Sequence, residues 1–389
     1  MSNFLKGTGS PRLLIIHAGA DKCASSSLQS SLHELNKKNP ELQQYQFLAN
    51  KYLLKTDESK AEENYLYVKS IFEKRTSDTV ILSNEGLIGE SLPSLRILCK
   101  VALEDYNFDK VIITIYSRSA SSHAISSYHQ WFFRNHEILK SDARATAEMG
   151  LKSCLLTPLE RRLLSIKFKK IQYVDWNAII QNIKIQTSRY GNSVRIISNH
   201  IPTPKNNYAL LVNFLETTGI ISNYKNISLA KYNIRSNDRF AEELTHSLSI
   251  ALYEGAHSDI YIPGPHEMND LLMALTTTYK DCESLFEKNL NQAYINHREN
   301  LNYLGQAVDD ISREGTIKYC KQFNLKTEQF LQPKKHNNEF DIRSILKVIE
   351  KRKIHAINMF NENCIAKLSI AYKNMFNTVP WMQFAKKCL

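Results

Sequence analysis

Three short segments of this 389-residue chain combine residue types that can hold and activate an anion. The first is His17-Ala18-Gly19-Ala20-Asp21-Lys22-Cys23-Ala24-Ser25-Ser26-Ser27-Leu28-Gln29. Its small residues allow several backbone N–H groups to converge on one anion, and a helix starting there would add about half a positive charge. Lys22 adds a full charge, and Ser25, Ser26 and Ser27 add hydroxyl donors. The spacing is not GxxxxGK[ST], so the segment is not a Walker A loop. The second segment, Ser83-Asn84-Glu85, ends in a carboxylate that could take a proton. In the third, Arg118 stands eight residues before Ser126. A guanidinium fork and a hydroxyl so spaced can grip one phosphate between them. His123 and His129, in the same stretch, are alternative proton acceptors. Taken singly, each segment also has a plain structural reading: a serine-rich helix start, a surface Glu in a turn, an Arg paired with a nearby carboxylate.

Elements of a particular kind are needed to bring such segments together. Residues 13–17, 79–83, 111–117 and 194–197 are near-continuous apolar runs, the pattern of strands covered on both faces in a parallel sheet. Between them the apolar period becomes helical: Leu28, Leu32 and Leu35 fall at i, i+4, i+7, and Ala124, Ile125, Tyr128 and Phe132 make a similar stripe. Strand–helix alternation predicts an α/β domain with helices on both faces of the sheet. All three candidate segments then follow strands, at the end where such sheets bind ligands. From about Arg239 the character changes. Long helical patterns occupy 240–254, 267–292 and 342–377, with 260–262 a short strand candidate and 333–338 a polar loop.

Composition narrows the function classes. The hydrophobic fraction is 43% and the charged fraction 23%, ordinary globular values that exclude disordered or collagen-like chains. Seven scattered cysteines without a CxxC pair suggest neither a disulfide scaffold nor a zinc site. No apolar run reaches a membrane span or a signal-peptide core, so a soluble, cytoplasmic protein is expected. The net charge of +11 includes clusters at 167–170, 334–335 and 351–353. It is compatible with a plain basic surface or with an anionic ligand.

In order, the three segments read HxGxxK followed by small residues, SSS and LQ; then SxE; then R-x7-S-x-Y-x-Q. This resembles sulfotransferases that use 3′-phosphoadenosine 5′-phosphosulfate (PAPS), in particular the bacterial carbohydrate-type branch. The resemblance covers about the first 240 residues, more weakly through 173–180, Tyr190-Gly191, 214–219 and 233–236. It implies a three-layer, P-loop-like parallel sheet over residues 1–240 and a mainly helical region at 241–389 that covers or binds the acceptor. By the same resemblance Lys22, Cys23, Ala24, Ser25, Ser26 and Ser27 hold the 5′-phosphosulfate, and Arg118 and Ser126 hold the 3′-phosphate. Two positions depart from the family pattern: Cys23 stands for its usual Thr and Ala24 for its usual Gly. His17 matches a residue often seen in that branch.

The implied reaction is in-line sulfuryl transfer to a hydroxyl of a glycan or glycolipid, releasing PAP and needing no metal. Lys22 would stabilise the departing phosphate and Glu85 would act as base. An anionic membrane surface is a further candidate partner; nucleic acid is less favoured, and the oligomeric state is left open. Tyr128, Trp131, Phe132 and Phe133 are readable as core or as sugar-stacking residues, with core favoured. Two rivals stand beside this reading: a kinase-like transferase, and a non-enzymatic basic polyanion or nucleic-acid binder on a sulfotransferase-like fold.

Overall fold

A computed structural model describes residues 11–19, 23, 25–38, 46–49, 61–89, 92–130, 136–151, 156, 158–170, 173–202, 209–220, 298–332, 341 and 343–347. Five strands form one all-parallel sheet: β1 (Leu13–Ala18), β2 (Gln46–Ala49), β3 (Thr79–Asn84), β4 (Lys110–Ser117) and β5 (Val194–His200), in the order β2-β3-β1-β4-β5. The four apolar runs are β1, β3, β4 and β5. Leu14, Ile15, Ile16, Val80, Ile81 and Ile113 are wholly inaccessible, as strands covered on both faces require. β2 was not among the expected strands; it is a four-residue edge strand with one buried-sheet neighbour, β3.

Helices alternate with the strands. In chain order α1 (Ser25–Lys38) follows β1, α2 (Ala61–Glu73) follows β2 and α3 (Ser94–Lys100) follows β3, continuing into a π turn at Val101–Asp105. After β4 come α4 (Ala120–Gln130), α5 (His136–Glu148), α6 (Pro158–Lys169) and α7 (Trp176–Thr187), and after β5 comes α8 (Ala209–Thr218). The step from β1 to β2 runs opposite to the steps that follow, so right-handed crossovers place α1 on one face and α2 and α3 on the other. The packing agrees: α1 meets α8, while α2 meets α3 and α3 meets α7. The Leu28, Leu32 and Leu35 stripe of α1 is buried, as its spacing predicts. Asp175 starts α7 by accepting the Ala178 N–H at 3.0 Å, and Gly219, at φ 74°, closes α8 in the left-handed conformation that suits glycine.

Two compact units divide the chain. The described residues of Met1–Arg118, Asp175–Arg235 and Glu314–Phe330 make the first, which contains the sheet. Those of Ser119–Val174, Ser236–Arg313 and Leu331–Leu389 make the second. Of the described residues beyond α8, α9, at 298–309, belongs to the second unit, and α10 (Arg313–Phe323) to the first from Glu314 onward. The second unit has its own core, in which Ala124, Tyr128, Leu159, Leu163, Leu304 and Val308 pack together. It also buries polar pairs. Asn300 donates to Glu160 at 2.6 Å, and Arg162 pairs with Asp142 at 3.3 Å. Asp309 accepts from both the N–H and the hydroxyl of Ser121, capping the start of α4. Burial pushes the Asp309 carboxyl up to about 7.

Among the described residues no helix is long and apolar enough to cross a membrane. The expected helical patterns at 240–254 and 267–292, the strand candidate at 260–262 and the basic clusters at 334–335 and 351–353 lie outside the described residues. Of the pattern at 342–377, residues 343–347 are described and helical.

Candidate functional site

The strand order creates a crevice at one place. β1 sends its chain toward β2 and its neighbour β4 sends its chain toward β5, so the connections leave adjacent strand ends in opposite directions. Such a switch point at the carboxyl ends of a parallel sheet is where open α/β folds bind ligands. The chain that leaves β1 is the segment with Lys22 and the serines; the residue that follows β4 is Arg118. Both lie in the first unit. Glu85 follows β3, on the other side of β1.

The turn from β1 into α1 is tight. A Cβ on Gly19 would come within 2.2 Å of Ser25 Oγ and 3.1 Å of His17 Cε1, so only glycine lets the chain pass so close to the start of the helix. Cys23 and Ser25 are buried there, whereas Ser27 is half-buried and Ser26 exposed. The first turn of α1 contains no acidic residue of its own. Lys22 and Ala24 lie outside the described residues.

Beneath this turn runs a polar row. His17 and Ser83 are register partners on β1 and β3, with Nδ1 and Oγ 2.8 Å apart, and Gln29 of α1 donates to the same Oγ at 3.0 Å. The row ties α1 to the sheet through three side chains. His17 is wholly buried between Tyr116 and Phe214, and burial lowers its pKa to about 4, so it is neutral at pH 7. Its Nε2 has no hydrogen-bond partner, nor has Oγ1 of Thr114, the register partner of His17 on β4. These surroundings give His17 a structural role, joining β1 to β3 and α1.

Glu85 is set by its neighbours in the chain. Asn84 ends β3 and accepts the Gly86 N–H at 2.7 Å, which turns the chain into a short 3-10 helix, Glu85–Ile88. Glu85 is thereby its first residue. Half-buried, it accepts a long hydrogen bond, 3.4 Å, from the Ser26 hydroxyl. The carboxylate after β3 and the serine run at the start of α1 are therefore in contact.

Arg118 and the residue before it, Ser117, are tied to their surroundings by several hydrogen bonds. The Arg118 carbonyl accepts from Trp176 Nε1 at 2.7 Å, and the carbonyl before it, of Ser117, accepts from Ile201 N at 3.0 Å. The Ser117 hydroxyl donates to Asn199 O at 3.1 Å and accepts from Tyr319 of α10 at 2.7 Å; Ser198 in turn donates to Tyr319. The Tyr319 ring stacks on Trp176, with centroids 6.2 Å apart. Burial raises the Tyr319 pKa, and the two serine bonds oppose that. His200, the last residue of β5, lies edge-on to Phe330 at 5.0 Å. Burial depresses its pKa, and the charge of Arg118 depresses it further.

The structure thus brings Ser25, Ser26 and Glu85 together and sets Arg118 across the switch point on the neighbouring strand. Ser126 lies on α4, as its spacing after Arg118 predicts, half-buried and in the second unit. His123 of α4 is also half-buried in that unit, and the side chain of His129 lies outside the described residues. Tyr128 is not a sugar platform: it is 4% exposed and packs in the second core. Trp131, Phe132 and Phe133 lie outside the described residues. Trp176, Tyr319 and His200 were not among the expected site residues. His200 ends β5, three residues past the apolar run 194–197; Tyr319 carries no local signal, since its partner Ser117 is 202 residues away.

Neither a protein-family model, nor a curated protein, nor a solved structure matches the chain.

Proposed function

We propose that this chain is a PAPS-dependent sulfotransferase acting on a hydroxyl of a glycan or glycolipid. The observation that carries the reading is the switch point between β1 and β4. One side is bounded by a Lys-bearing turn into a helix start free of acidic residues, the other by a firmly held Arg118. The donor set fits a ligand with two separate phosphate-type groups: N–H groups and hydroxyls at α1 for one, a guanidinium for the other. In this reading the turn 19–27 is a P-loop-like cradle. PAPS bound there supplies an activated sulfuryl group on a phosphate that departs as PAP.

The chain's own residues then divide the work. Lys22 and the start of α1 hold the 5′-phosphate and neutralise the charge that grows on it. Arg118 holds the 3′-phosphate. Glu85, oriented by the Asn84 turn and the Ser26 hydroxyl, takes the proton from the acceptor hydroxyl. The basic surface and the region 241–389 are the candidates for contact with the acceptor or an anionic membrane.

The test is turnover. The full chain is incubated with PAPS and a panel of glycan and glycolipid hydroxyl acceptors, and PAP release is followed. Acceptor-dependent release that is lost in Lys22→Ala supports the reading. Release that ignores both acceptor and Lys22, or binding of ATP with magnesium in preference to PAP, refutes it. Salt-sensitive nucleic-acid binding indifferent to PAP would favour the polyanion binder instead.

A further inference from the structure

We infer that Trp176 and Tyr319 are positioning residues for Arg118, so that α10, almost 200 residues downstream of it, completes recognition of the ligand's 3′-phosphate. The inference rests on the sulfotransferase reading and extends it to residues outside the segments that resemble that family's phosphate-binding loops.

Arg118 is the first residue after β4, where the backbone leaves the sheet and its ladder of hydrogen bonds. A guanidinium discriminates between phosphates only if its stem is fixed, because an error of an ångström at the stem is carried to the fork. The indole N–H of Trp176 fixes the Arg118 carbonyl at 2.7 Å. Tyr319 fixes the preceding residue through an unbroken chain: Ser198 donates to Tyr319, Tyr319 donates to Ser117, and Ser117 donates to the Asn199 carbonyl. Each of these hydroxyls donates one bond, and the Tyr319 and Ser117 oxygens each accept one as well. Ser117, Ser198 and Tyr319 are all buried. The two clamps support each other, since the Trp176 and Tyr319 rings stack. One side chain of α10 therefore bonds the strand end just before Arg118.

Core packing alone would explain a Phe at both positions; it does not explain two polar atoms, each spent on the backbone or side chain next to Arg118. Tyr319→Phe removes the hydroxyl and keeps the ring; Trp176→Phe removes the indole N–H and keeps an aromatic ring, though a smaller one. Binding of PAP and of AMP to the full chain is measured by calorimetry for the wild type, both variants, Arg118→Ala, and the Trp176→Phe/Arg118→Ala pair. The expected result is a roughly 5–20-fold loss of PAP affinity in each Phe variant, with AMP affinity within about twofold of wild type. In the Arg118→Ala background, Trp176→Phe should change PAP affinity by less than about twofold, because the group it positions is gone. Phe72→Leu, a buried change against Tyr106 and Phe108, controls for general loss of stability and should leave the PAP-to-AMP ratio intact. A wild type that prefers PAP, with Phe variants that keep that preference or lose both ligands equally, overturns this inference and leaves the sulfotransferase reading standing. So does full additivity with Arg118→Ala. A wild type that binds PAP and AMP alike overturns the sulfotransferase reading itself, and this inference with it.

Discussion

Gly19→Ala adds one methyl group at the tightest point of the candidate site. The new Cβ would lie 2.2 Å from Ser25 Oγ, 3.1 Å from His17 Cε1 and 3.2 Å from Ser25 Cβ. Rotating the Ser25 hydroxyl relieves only the first contact. The Ser25 Cβ is part of the first residue of α1, and the imidazole is wedged between Tyr116 and Phe214 and bonded to Ser83. The turn must therefore move away from the helix start. Overpacking of this kind costs about 1–3 kcal/mol. For a folding unit of this size that corresponds to a drop in melting temperature of roughly 3–10 °C. Because the same movement widens the turn around the proposed anion, PAP affinity should fall as well. Thermal unfolding of Gly19→Ala is compared with that of Ser25→Ala and the double variant. Removing Ser25 Oγ deletes the worst contact, so Gly19→Ala should be milder in that background, with a coupling of at least about 0.5 kcal/mol. A Gly19→Ala protein as stable as wild type, or an equal cost in both backgrounds, would show that the turn does not pass where the structure has it.

Glu85→Gln keeps size and polarity but removes the basic oxygen; kcat should fall by about 10²–10⁴-fold with PAP affinity unchanged, and retention of kcat would dismiss the base. Lys22→Ala should reduce turnover far more than PAP binding, because the charge it offsets grows in the transition state; equal losses in single-turnover rate and binding would contradict that. His17 takes a proton near pH 6.5 in the unfolded chain but only at about 4 in the fold. Between those values the unfolded state binds the extra proton, so stability falls as pH drops through the window, by up to about 1.4 kcal/mol per pH unit. His17→Asn should flatten this dependence in urea unfolding followed from pH 7 to 4, and parallel curves for the two proteins would refute it.

The sheet was legible where physics writes it locally. Strands covered on both faces are apolar at most positions, and the runs 13–17, 79–83 and 111–117 are; 194–197, on the sheet edge, carries the exposed Arg195 and is apolar otherwise. Gln46–Ala49 was missed because a four-residue edge strand opening on Gln carries no such run. The places of Glu85 and Arg118 were legible because each directly follows a strand, and those of Ser25 and Ser26 because they open the helix after β1. The supports of Arg118 were not. Trp176 reads as an ordinary buried aromatic at a helix start, and Tyr319 sits in a helix whose membership in the first unit depends on contacts across about 200 residues. Nor does spacing disclose that the Asn84 side chain turns the backbone at Glu85.

The central claim is that Arg118 reads a second phosphate. The most direct measurement is thermal stabilisation of the wild type and of Arg118→Ala by PAP and by AMP at equal concentration, since a ligand that binds only the folded state raises stability by RT ln(1 + c/Kd), with c the free ligand concentration. PAP should stabilise the wild type clearly more than AMP does. Arg118→Ala should lose about 1.5–3 kcal/mol of PAP affinity and bind AMP as before. Equal stabilisation of the wild type by PAP and AMP would contradict the account.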